Sequence, residues 1–561
     1  MKNNFLVKLI LVWGFFWGIL GLISYYLGLV GLWYQFILII LFCVALIILG
    51  IYLKKNHCLG VKKFLYRFWN IIYHDWFLFL LIIIFIILAL FNLVGVIAPE
   101  IEFDALWYHL TLPKIYLMVH NVHYLPRGPG DYHFYYSVTP RLTEMLYGIG
   151  LAFDGSGIFA KLIHYSFGLF WFLSIFVFLR LFLTRRWSFL LALAIYGSSS
   201  ALWLSQTANI DLATAFFVSV SLWSLFSYFK KSDEIFLYFS AIFMGFNLAT
   251  KTYGLIIFSV IFLIILFRVG WREAIKYALI ALVIVLPFYL QAYFATGNPI
   301  YPVFSIQDSA LGQYIYPAQS LKEWYLTVWL GKLPGLFWRI LVNQYTPVFG
   351  LILLSFLLLF KNIKDFFWPL LIFLGFFLGW SLIPITEPRY FIVILPIMAL
   401  LAGLVIEKMN FKFFKVSVVL LLLIGLGINL NLQNTKFLRK IKVVFHQETK
   451  ETYLRENLGP LTFYDFAGSF KKHLPPDAKI LTANIHNLFY VNFNFWDLSF
   501  IPEIDDMHIR PAELAEILKN KGFTRILVGN NKGVFAAEDF SLYFDLVYQE
   551  NNFRLYQIKN D

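Results

Sequence analysis

The chain has 561 residues; 60% are hydrophobic, only 14% are charged, and the formal net charge is +13. This composition favours a membrane protein over a series of soluble domains. The Lys and Arg residues are scattered between hydrophobic runs, which argues against a nucleic-acid-binding surface. The two cysteines, Cys43 and Cys58, cannot build a disulfide framework.

Apolar runs of about 20 residues, the length that crosses a bilayer as an α-helix, repeat along the chain. They predict a polytopic α-helical membrane protein with about thirteen transmembrane helices. The first run is too long for a signal peptide and lacks a small-residue cleavage site, so we expect it to remain as a helix. The predicted spans are 5–28, 32–53, 76–98, 157–182, 187–204, 210–229, 235–251, 254–268, 277–296, 346–360, 366–383, 390–406 and 413–431.

Basic residues occupy every second connection between these spans, for example Lys54, Lys55 and Lys230. By the positive-inside rule these connections face the cytoplasm, and so does the amino terminus. The opposite connections carry acids, which we therefore expect on the outer side of the plasma membrane. These acids are Glu100, Glu102, Asp104, Asp131, Asp211 and Glu387.

Two outer segments, 99–142 and 297–345, are longer than turns, which favours functional loops. In the first, 105–119 reads as an amphipathic helix along the membrane interface. From about residue 432 the hydropathy falls, and strand-like runs flank a helical stretch at 511–521, which predicts a small extracytoplasmic α/β domain. The strand-like runs are 478–482, 525–528, 542–548 and 553–558.

Several short motifs occur in order on the predicted outer side. They are Phe-Asp-Ala-Leu-Trp-Tyr-His-Leu at 103–110, Thr-Pro-Arg-Leu-Thr-Glu-Met-Leu at 139–146, Asn-Ile-Asp at 209–211, Ala-Thr-Lys-Thr at 249–252, Gly-Asn-Pro-Ile-Tyr-Pro at 297–302 and Glu-Pro-Arg-Tyr at 387–390. From residue 76 onward this set resembles the bacterial GT-C glycosyltransferases, whose relatives include the protein O-mannosyltransferases and the lipid A aminoarabinose transferases.

The resemblance implies an integral-membrane enzyme that uses polyprenyl-phosphate sugars outside the cytoplasm. It implies a catalytic transmembrane domain at 54–431, followed by the α/β domain at 432–561, with the hairpin at 1–53 as an addition to the usual core. The chain has Asp-Ala at 104–105 where the protein mannosyltransferases have Asp-Glu, which puts a peptide acceptor in doubt.

The expected chemistry needs one base and one or two cations. A lipid phosphate leaves without being protonated, so the enzyme must deprotonate an acceptor hydroxyl and neutralise phosphate charge. Asp104 is the candidate base, acting in a single displacement that inverts the anomeric carbon. Its alternative role is to cap a helix that begins at Ala105.

Lys251 and Arg389 are the candidates for binding the phosphate. Lys251 would act as a point charge and Arg389 as a bidentate hydrogen-bond donor. Alternatively they are snorkelling residues, or Arg389 pairs with Glu387. Asp211 either belongs to the site or caps the helix that it begins. The further substrate-binding candidates are Glu144, whose alternative is a pair with Arg141, and the motif residues Tyr108, His109 and Tyr390.

The first outer loop also carries His120, His123 and His133. Together with His109 and the nearby acids they offer ligands for a divalent ion. Their spacing does not match a known metal-binding motif, so histidines that form hydrogen bonds are favoured. We therefore assign no cofactor and keep a divalent metal ion as the alternative. The expected partners are a polyprenyl-phosphate sugar, a lipid, glycan or protein acceptor and membrane lipids, and not nucleic acid.

Two other classes of protein stay open. A lipid or polysaccharide transporter should show inverted repeats and ionisable groups near the bilayer midplane, and neither is evident. A non-catalytic membrane assembly protein would leave Asp104, Lys251 and Arg389 without a common explanation.

Overall fold

The computed structural model describes residues 5–55, 66, 69, 73–123, 136–303, 330–338, 363–382, 387–409, 411–501, 503–504 and 508–559. Three expectations fall outside these residues: the span at 346–360, the loop positions Asp131 and His133, and most of the outer segment 297–345.

The membrane part consists of helices, because in lipid every backbone N–H and C=O must be paired within the segment. The helices are α1 (Phe5–Leu29), α2 (Gln35–Lys55), α3 (Trp76–Ile97), a π-helix (Ala105–His109), α4 (Thr111–Val119), α5 (Leu142–Phe153), α6 (Ile158–Leu179), α7 (Arg185–Tyr196), α8 (Ser199–Leu204), α9 (Asp211–Lys231), α10 (Glu234–Thr250), α11 (Gly254–Arg268), α12 (Trp271–Thr296), α13 (Leu330–Trp338), α14 (Ile363–Ser381), a 3-10 helix (Pro388–Ile394), α15 (Leu395–Lys408), α16 (Lys412–Val444) and α17 (Lys450–Asn457).

Within the described part of the chain, eight helical segments are long and apolar enough to cross a membrane. They are α1, α2, α3, α6, α9, α12, the segment Arg389–Lys408 and the first part of α16. Four shorter apolar helices accompany them: α5, α10, α11 and Phe366–Ser381 of α14. The polytopic helical membrane fold is therefore confirmed, whereas the count of thirteen stays a prediction.

The span predicted at 187–204 is in fact two helices, α7 and α8. The chain breaks at Gly197 and Ser198, where the Ser198 hydroxyl accepts a hydrogen bond from the Ala201 N–H. A serine in this position begins a new helix by pairing one of its unsatisfied N–H groups. Hydropathy alone does not register such a break, because both halves are apolar.

The helix predicted to end at 431 continues to Val444 as α16. Its sequence turns polar after Asn429, but Leu, Lys and Arg are good helix formers in water as well. The fall in hydropathy at 432 therefore marks where α16 becomes polar, and no break in the helix occurs there.

Helix α1 packs closely into the bundle at two glycines. A Cβ on Gly14 would lie 2.4 Å from the Phe243 ring, and one on Gly18 would lie 2.5 Å from the Phe246 ring. Small residues let helices approach closely in membranes, where packing drives association. The phenylalanine rings of α10 fill the space that these glycines leave.

The predicted C-terminal α/β fold is confirmed as a five-stranded sheet in the order β2-β1-β3-β5-β4. Strands β2, β1 and β3 are parallel, and β5 and β4 are antiparallel to their neighbours. The strands are β1 (Ile480–Ala483), β2 (Phe495–Asp497), β3 (Arg525–Val528), β4 (Phe544–Glu550) and β5 (Phe553–Ile558), with helices α18 (Pro511–Asn520) and α19 (Phe540–Tyr543) and 3-10 turns at Phe466–Gly468, Lys471–His473, Leu498–Phe500 and Gly533–Ala536.

Candidate functional site

Asp104 forms an ion pair with Arg389, which lies 285 positions later in the chain. Asp104 immediately precedes the π-helix and its side chain makes no capping hydrogen bond, so the alternative role as a helix cap is not realised. Arg389 follows Pro388 in the 3-10 helix and pairs with Asp104 rather than with Glu387. The Nε–H of Arg389 is buried and has no hydrogen-bond partner among the described residues.

A second ion pair lies close to the first. Lys251 Nζ is 2.8 Å from Asp211 Oδ1, and the side chains are 16% and 3% exposed. Lys251 directly follows α10, Asp211 begins α9, and Lys251 Nζ lies 4.1 Å from the centre of the Tyr390 ring. Arg389 interacts electrostatically with both Asp211 and Asp104. The two pairs therefore form one charged cluster.

The turn that carries Asp211 is fixed from α6. His164 Nδ1 lies 2.8 Å from the Thr207 carbonyl oxygen, and His164 Nε2 accepts a hydrogen bond of 3.2 Å from the Leu212 N–H. The imidazole thus spans the whole turn, with the proton on Nδ1. This interaction sets the position of Asp211 relative to the bundle.

A cleft lies beside this cluster, between α9, α10, α11, α14 and the 3-10 helix. The polar part of its lining is Asp211, Thr214, Asn247, Lys251, Tyr253 and Tyr390. The apolar part includes Ile256, Ile257, Phe376, Trp380 and Val393. Asp211 Oδ2 and Asn247 Oδ1 are buried and lack hydrogen-bond partners among the described residues. The lining therefore has a polar side at the Asp211–Lys251 pair and an apolar side.

Glu100 ties the segment that carries Asp104 to the turn that carries Asp211. Its Oε1 accepts hydrogen bonds from the N–H groups of Ile101 and Glu102, at 3.0 and 2.9 Å, and its Oε2 accepts one of 2.9 Å from the Ala208 N–H. A buried carboxylate with three N–H donors is well satisfied. Glu100 therefore has a structural role: it holds the segment that carries Asp104 against the turn that carries Asp211.

Glu102 is the perturbed carboxyl in this segment. Burial, reinforced by the charges of Glu100 and Asp104, raises its pKa from 4.5 to about 7. Burial disfavours the charged form of an acid, and nearby carboxylates add to that effect. The carboxyl therefore changes its charge near neutral pH, two residues from Asp104.

Tyr108 and Tyr136 stack face to face, with ring centres 3.6 Å apart. Burial, followed by the charge of Asp104, raises the pKa of each phenol well above its usual value. Both phenols consequently stay protonated and can donate hydrogen bonds beside Asp104.

His109 and Glu144 form a buried pair, with His109 Nδ1 2.8 Å from Glu144 Oε1. Arg141 does not take that place; it donates to the Val122 carbonyl oxygen at 2.8 Å and to Gln291 Oε1 at 2.6 Å. The alternative role of Glu144, a pair with Arg141, is therefore not formed. His109 ends the π-helix and Glu144 lies in the first turn of α5, and their contact with substrate stays a prediction.

The structure thus brings together Asp104, Tyr108, Asp211, Lys251, Arg389 and Tyr390 of the predicted site residues. Among the described residues, no group of three or more His, Cys, Asp or Glu side chains is placed to hold a metal ion. Sequence reasoning missed Glu102 and Tyr136 as site residues. Glu102 had a usable signal, because it is an acid only two positions before Asp104, whereas Tyr136 had none.

The fold of this chain is similar to those of several solved structures. ArnT from Cupriavidus metallidurans bound to undecaprenyl phosphate aligns with a TM-score of 0.53 and 13% sequence identity, over 85% of this chain and 97% of that chain. ArnT in the apo state gives the same values. An oligosaccharyltransferase from Archaeoglobus fulgidus, in complex with Zn and sulfate, aligns at a TM-score of 0.46 with 13% identity, over 82% of this chain and 71% of that chain, and nothing further rests on it.

No protein-family model and no curated protein sequence matches the chain. At 13% sequence identity the similarity to ArnT concerns the fold alone. In that respect it confirms the predicted GT-C-like architecture.

Proposed function

We propose that this chain, which has the GT-C fold, is an integral-membrane glycosyltransferase that moves a sugar from a polyprenyl-phosphate donor to an acceptor hydroxyl. The observation that carries the proposal is the cluster of two ion pairs, Asp104–Arg389 and Lys251–Asp211, beside a cleft of mixed lining. It offers a base, two cations and an amphipathic binding place within one part of the fold.

The cleft supports a lipid phosphate as the donor. Lys251 supplies a point charge at its polar lining, and the side chains of Ile256, Phe376 and Trp380 supply an apolar wall for a polyprenyl chain. ArnT, a protein of the same fold, is described as bound to undecaprenyl phosphate, which agrees with this assignment.

Both cations are already paired with carboxylates, so the donor phosphate would enter an existing network. A guanidinium carries five N–H donors, so phosphate oxygens could accept from Arg389 while its Nη2 keeps the contact with Asp104. Arg389 then contacts the leaving group and the base at once. This contact would hold the anomeric carbon within reach of an acceptor hydroxyl that faces Asp104.

The reaction balances as a single displacement. The acceptor oxygen bonds to the anomeric carbon, the bond from that carbon to the phosphate oxygen breaks with its electron pair going to the phosphate, and the hydroxyl proton passes to Asp104. Lys251 and Arg389 neutralise the charge on the departing phosphate. Because the acceptor oxygen attacks the anomeric carbon opposite the departing phosphate, the anomeric configuration is inverted.

The positive-inside pattern supports an extracytoplasmic location for Asp104 in the plasma membrane. The acceptor would then be a lipid, a glycan or a protein outside the cytoplasm.

The test is to incubate the full chain in lipid nanodiscs with a panel of polyprenyl-phosphate sugars and candidate acceptors. Mass spectrometry should detect free polyprenyl phosphate and a glycosylated product, and NMR should show an inverted anomeric centre. Intact donor with every member of the panel would contradict a glycosyltransferase, and retained configuration would contradict the single displacement. Movement of the donor across vesicles without cleavage would favour a transporter.

A further inference from the structure

The carboxyl edge of the parallel strands in the C-terminal sheet carries two neighbouring loops. Asn484–Asn487 follows β1, and Gly529–Asn531 follows β3. The loops are joined by a hydrogen bond of 3.2 Å from Asn484 Nδ2 to the Asn530 carbonyl oxygen, and by one of 3.0 Å from the Gly529 N–H to the Ala483 carbonyl oxygen. In open sheets with parallel strands, ligands bind at this edge.

This edge lies against the segment that carries Asp104. The His486 ring centre is 4.2 Å from that of Trp107 and 5.1 Å from that of Phe103. Two hydrogen bonds beyond His486 secure the contact. Tyr490 Oη donates to the Glu100 carbonyl oxygen at 2.6 Å, and Lys114 Nζ donates to the Phe489 carbonyl oxygen at 2.7 Å.

The side chains that meet here are aromatic. Phe103 is 37% exposed, and Trp107 and His486 are both partly exposed. The two loop segments, Asn484–Asn487 and Gly529–Asn531, contain asparagine, histidine, isoleucine and glycine, and the exposed Lys532 follows the second of them. We call these two loops, together with Phe103 and Trp107, the aromatic shelf.

The chemistry of the shelf discriminates between classes of acceptor. A phosphate-bearing lipid head group is usually held by several Arg or Lys side chains, and the residues of the aromatic shelf include neither Arg nor Lys. A sugar ring offers apolar C–H faces that pack on aromatic rings and hydroxyl groups that pair with side-chain amides. The shelf supplies both, directly beside the candidate base.

We propose that the acceptor is a neutral carbohydrate, which stacks on Trp107 and His486 and reaches Asp104 with one hydroxyl. The assignment rests on the proposed transfer, since it names the acceptor of that same site. It also gives the C-terminal domain a direct part in binding, where otherwise it would only cover the membrane part.

Binding can be measured without turnover, using the full chain in lipid nanodiscs and saturation-transfer NMR. The probes are cellotetraose, chitotetraose and maltotetraose, with glycerol phosphate and a Ser/Thr-containing hexapeptide as the other classes. We expect at least one neutral oligosaccharide to bind and the charged probe to fail. Trp107→Ala should weaken that binding about tenfold, the loss of one aromatic stacking contact.

Two further variants keep this test sharp. Trp107→Phe retains a ring and should restore most of the affinity, and Trp496→Ala removes an exposed tryptophan of the C-terminal domain and should leave the affinity unchanged. Absence of binding by every neutral oligosaccharide, preference for the peptide or glycerol phosphate, or equal binding by Trp107→Ala would each overturn the assignment. Failure of the transferase proposal would appear separately, as intact donor in the transfer assay while an oligosaccharide still binds.

Discussion

Replacing Lys251 by methionine should destabilise the protein strongly, because it leaves a carboxylate without its partner. The Asp211 side chain is only 3% exposed, and its Oδ1 receives the Lys251 ammonium at 2.8 Å. Removing one partner of a buried pair costs about 3 to 5 kcal/mol. Since the lysine side chain is 16% exposed, we expect a value at the lower end for Lys251→Met, about 3 kcal/mol.

The double variant Asp211→Asn with Lys251→Met removes both charges and should recover most of that loss. The free energy of unfolding can be compared across the cycle by SDS titration in mixed micelles, followed by circular dichroism. Lys276→Met is the matched control, because Lys276 is 45% exposed and lies 3.8 Å from Glu234 and Glu273. An exposed pair of this kind contributes less than about 1 kcal/mol.

The same cycle separates stability from function. The double variant should be stable and yet bind a polyprenyl-phosphate sugar poorly, because it lacks the lysine that we propose as the phosphate contact. Two results would refute this reasoning. One is a loss in Lys251→Met no larger than in Lys276→Met, and the other is strictly additive effects of the two substitutions in the cycle.

Three other predictions concern the rest of the site and its orientation. Arg389→Ala should weaken binding of the lipid-phosphate donor by roughly 1.5 to 3 kcal/mol in a titration, and the exposed Arg186→Ala should not; equal affinities would remove Arg389 from the donor site. The folded-state pKa of Glu102 is raised from 4.5 to about 7, so the protonated carboxyl stabilises the folded protein. This contribution, at most about 3 kcal/mol, is complete below pH 4.5 and is lost as the pH rises to about 7. Glu102→Gln should flatten that loss in unfolding measured from pH 5 to 8, so parallel curves would contradict the assigned pKa. Thiols introduced at His123 and Asn531, in a chain without its native cysteines, should both react with an impermeant reagent in intact cells; protection of either until lysis would require a new topology.

Hydropathy predicted most of the membrane helices because lipid imposes one rule on all of them. It failed where the choice between structures depends on a local hydrogen bond. Ser198 ends one helix and begins another inside an apolar run, and α16 continues past 431 because helix formation does not require apolar residues. Both outcomes depend on backbone hydrogen bonds, and average hydropathy carries no information about those bonds.

The charged site residues were predictable as individuals, since an acid or a base at the end of an apolar span is costly unless it is paired or functional. Their pairing was not predictable. Asp104 meets Arg389 across 285 positions, and Lys251 meets Asp211 across 40. Only the packing of α9, α10 and the 3-10 helix determines these partners. Nothing in the sequence marked His486 as a site residue. It is a single histidine in a loop of a separate domain, and its contacts exist only where that domain packs against the membrane part.

The central claim, that Asp104 is the base of a sugar transfer, is tested most directly by single-turnover kinetics of Asp104→Asn. At saturating polyprenyl-phosphate sugar and acceptor, release of polyprenyl phosphate should slow by about 10² to 10⁴-fold, because an amide cannot take the hydroxyl proton. Donor affinity should not fall, since the substitution frees Arg389 for the phosphate, and the exposed Asp545→Asn should behave as the wild type. Release at the wild-type rate by a folded Asp104→Asn protein would contradict the account.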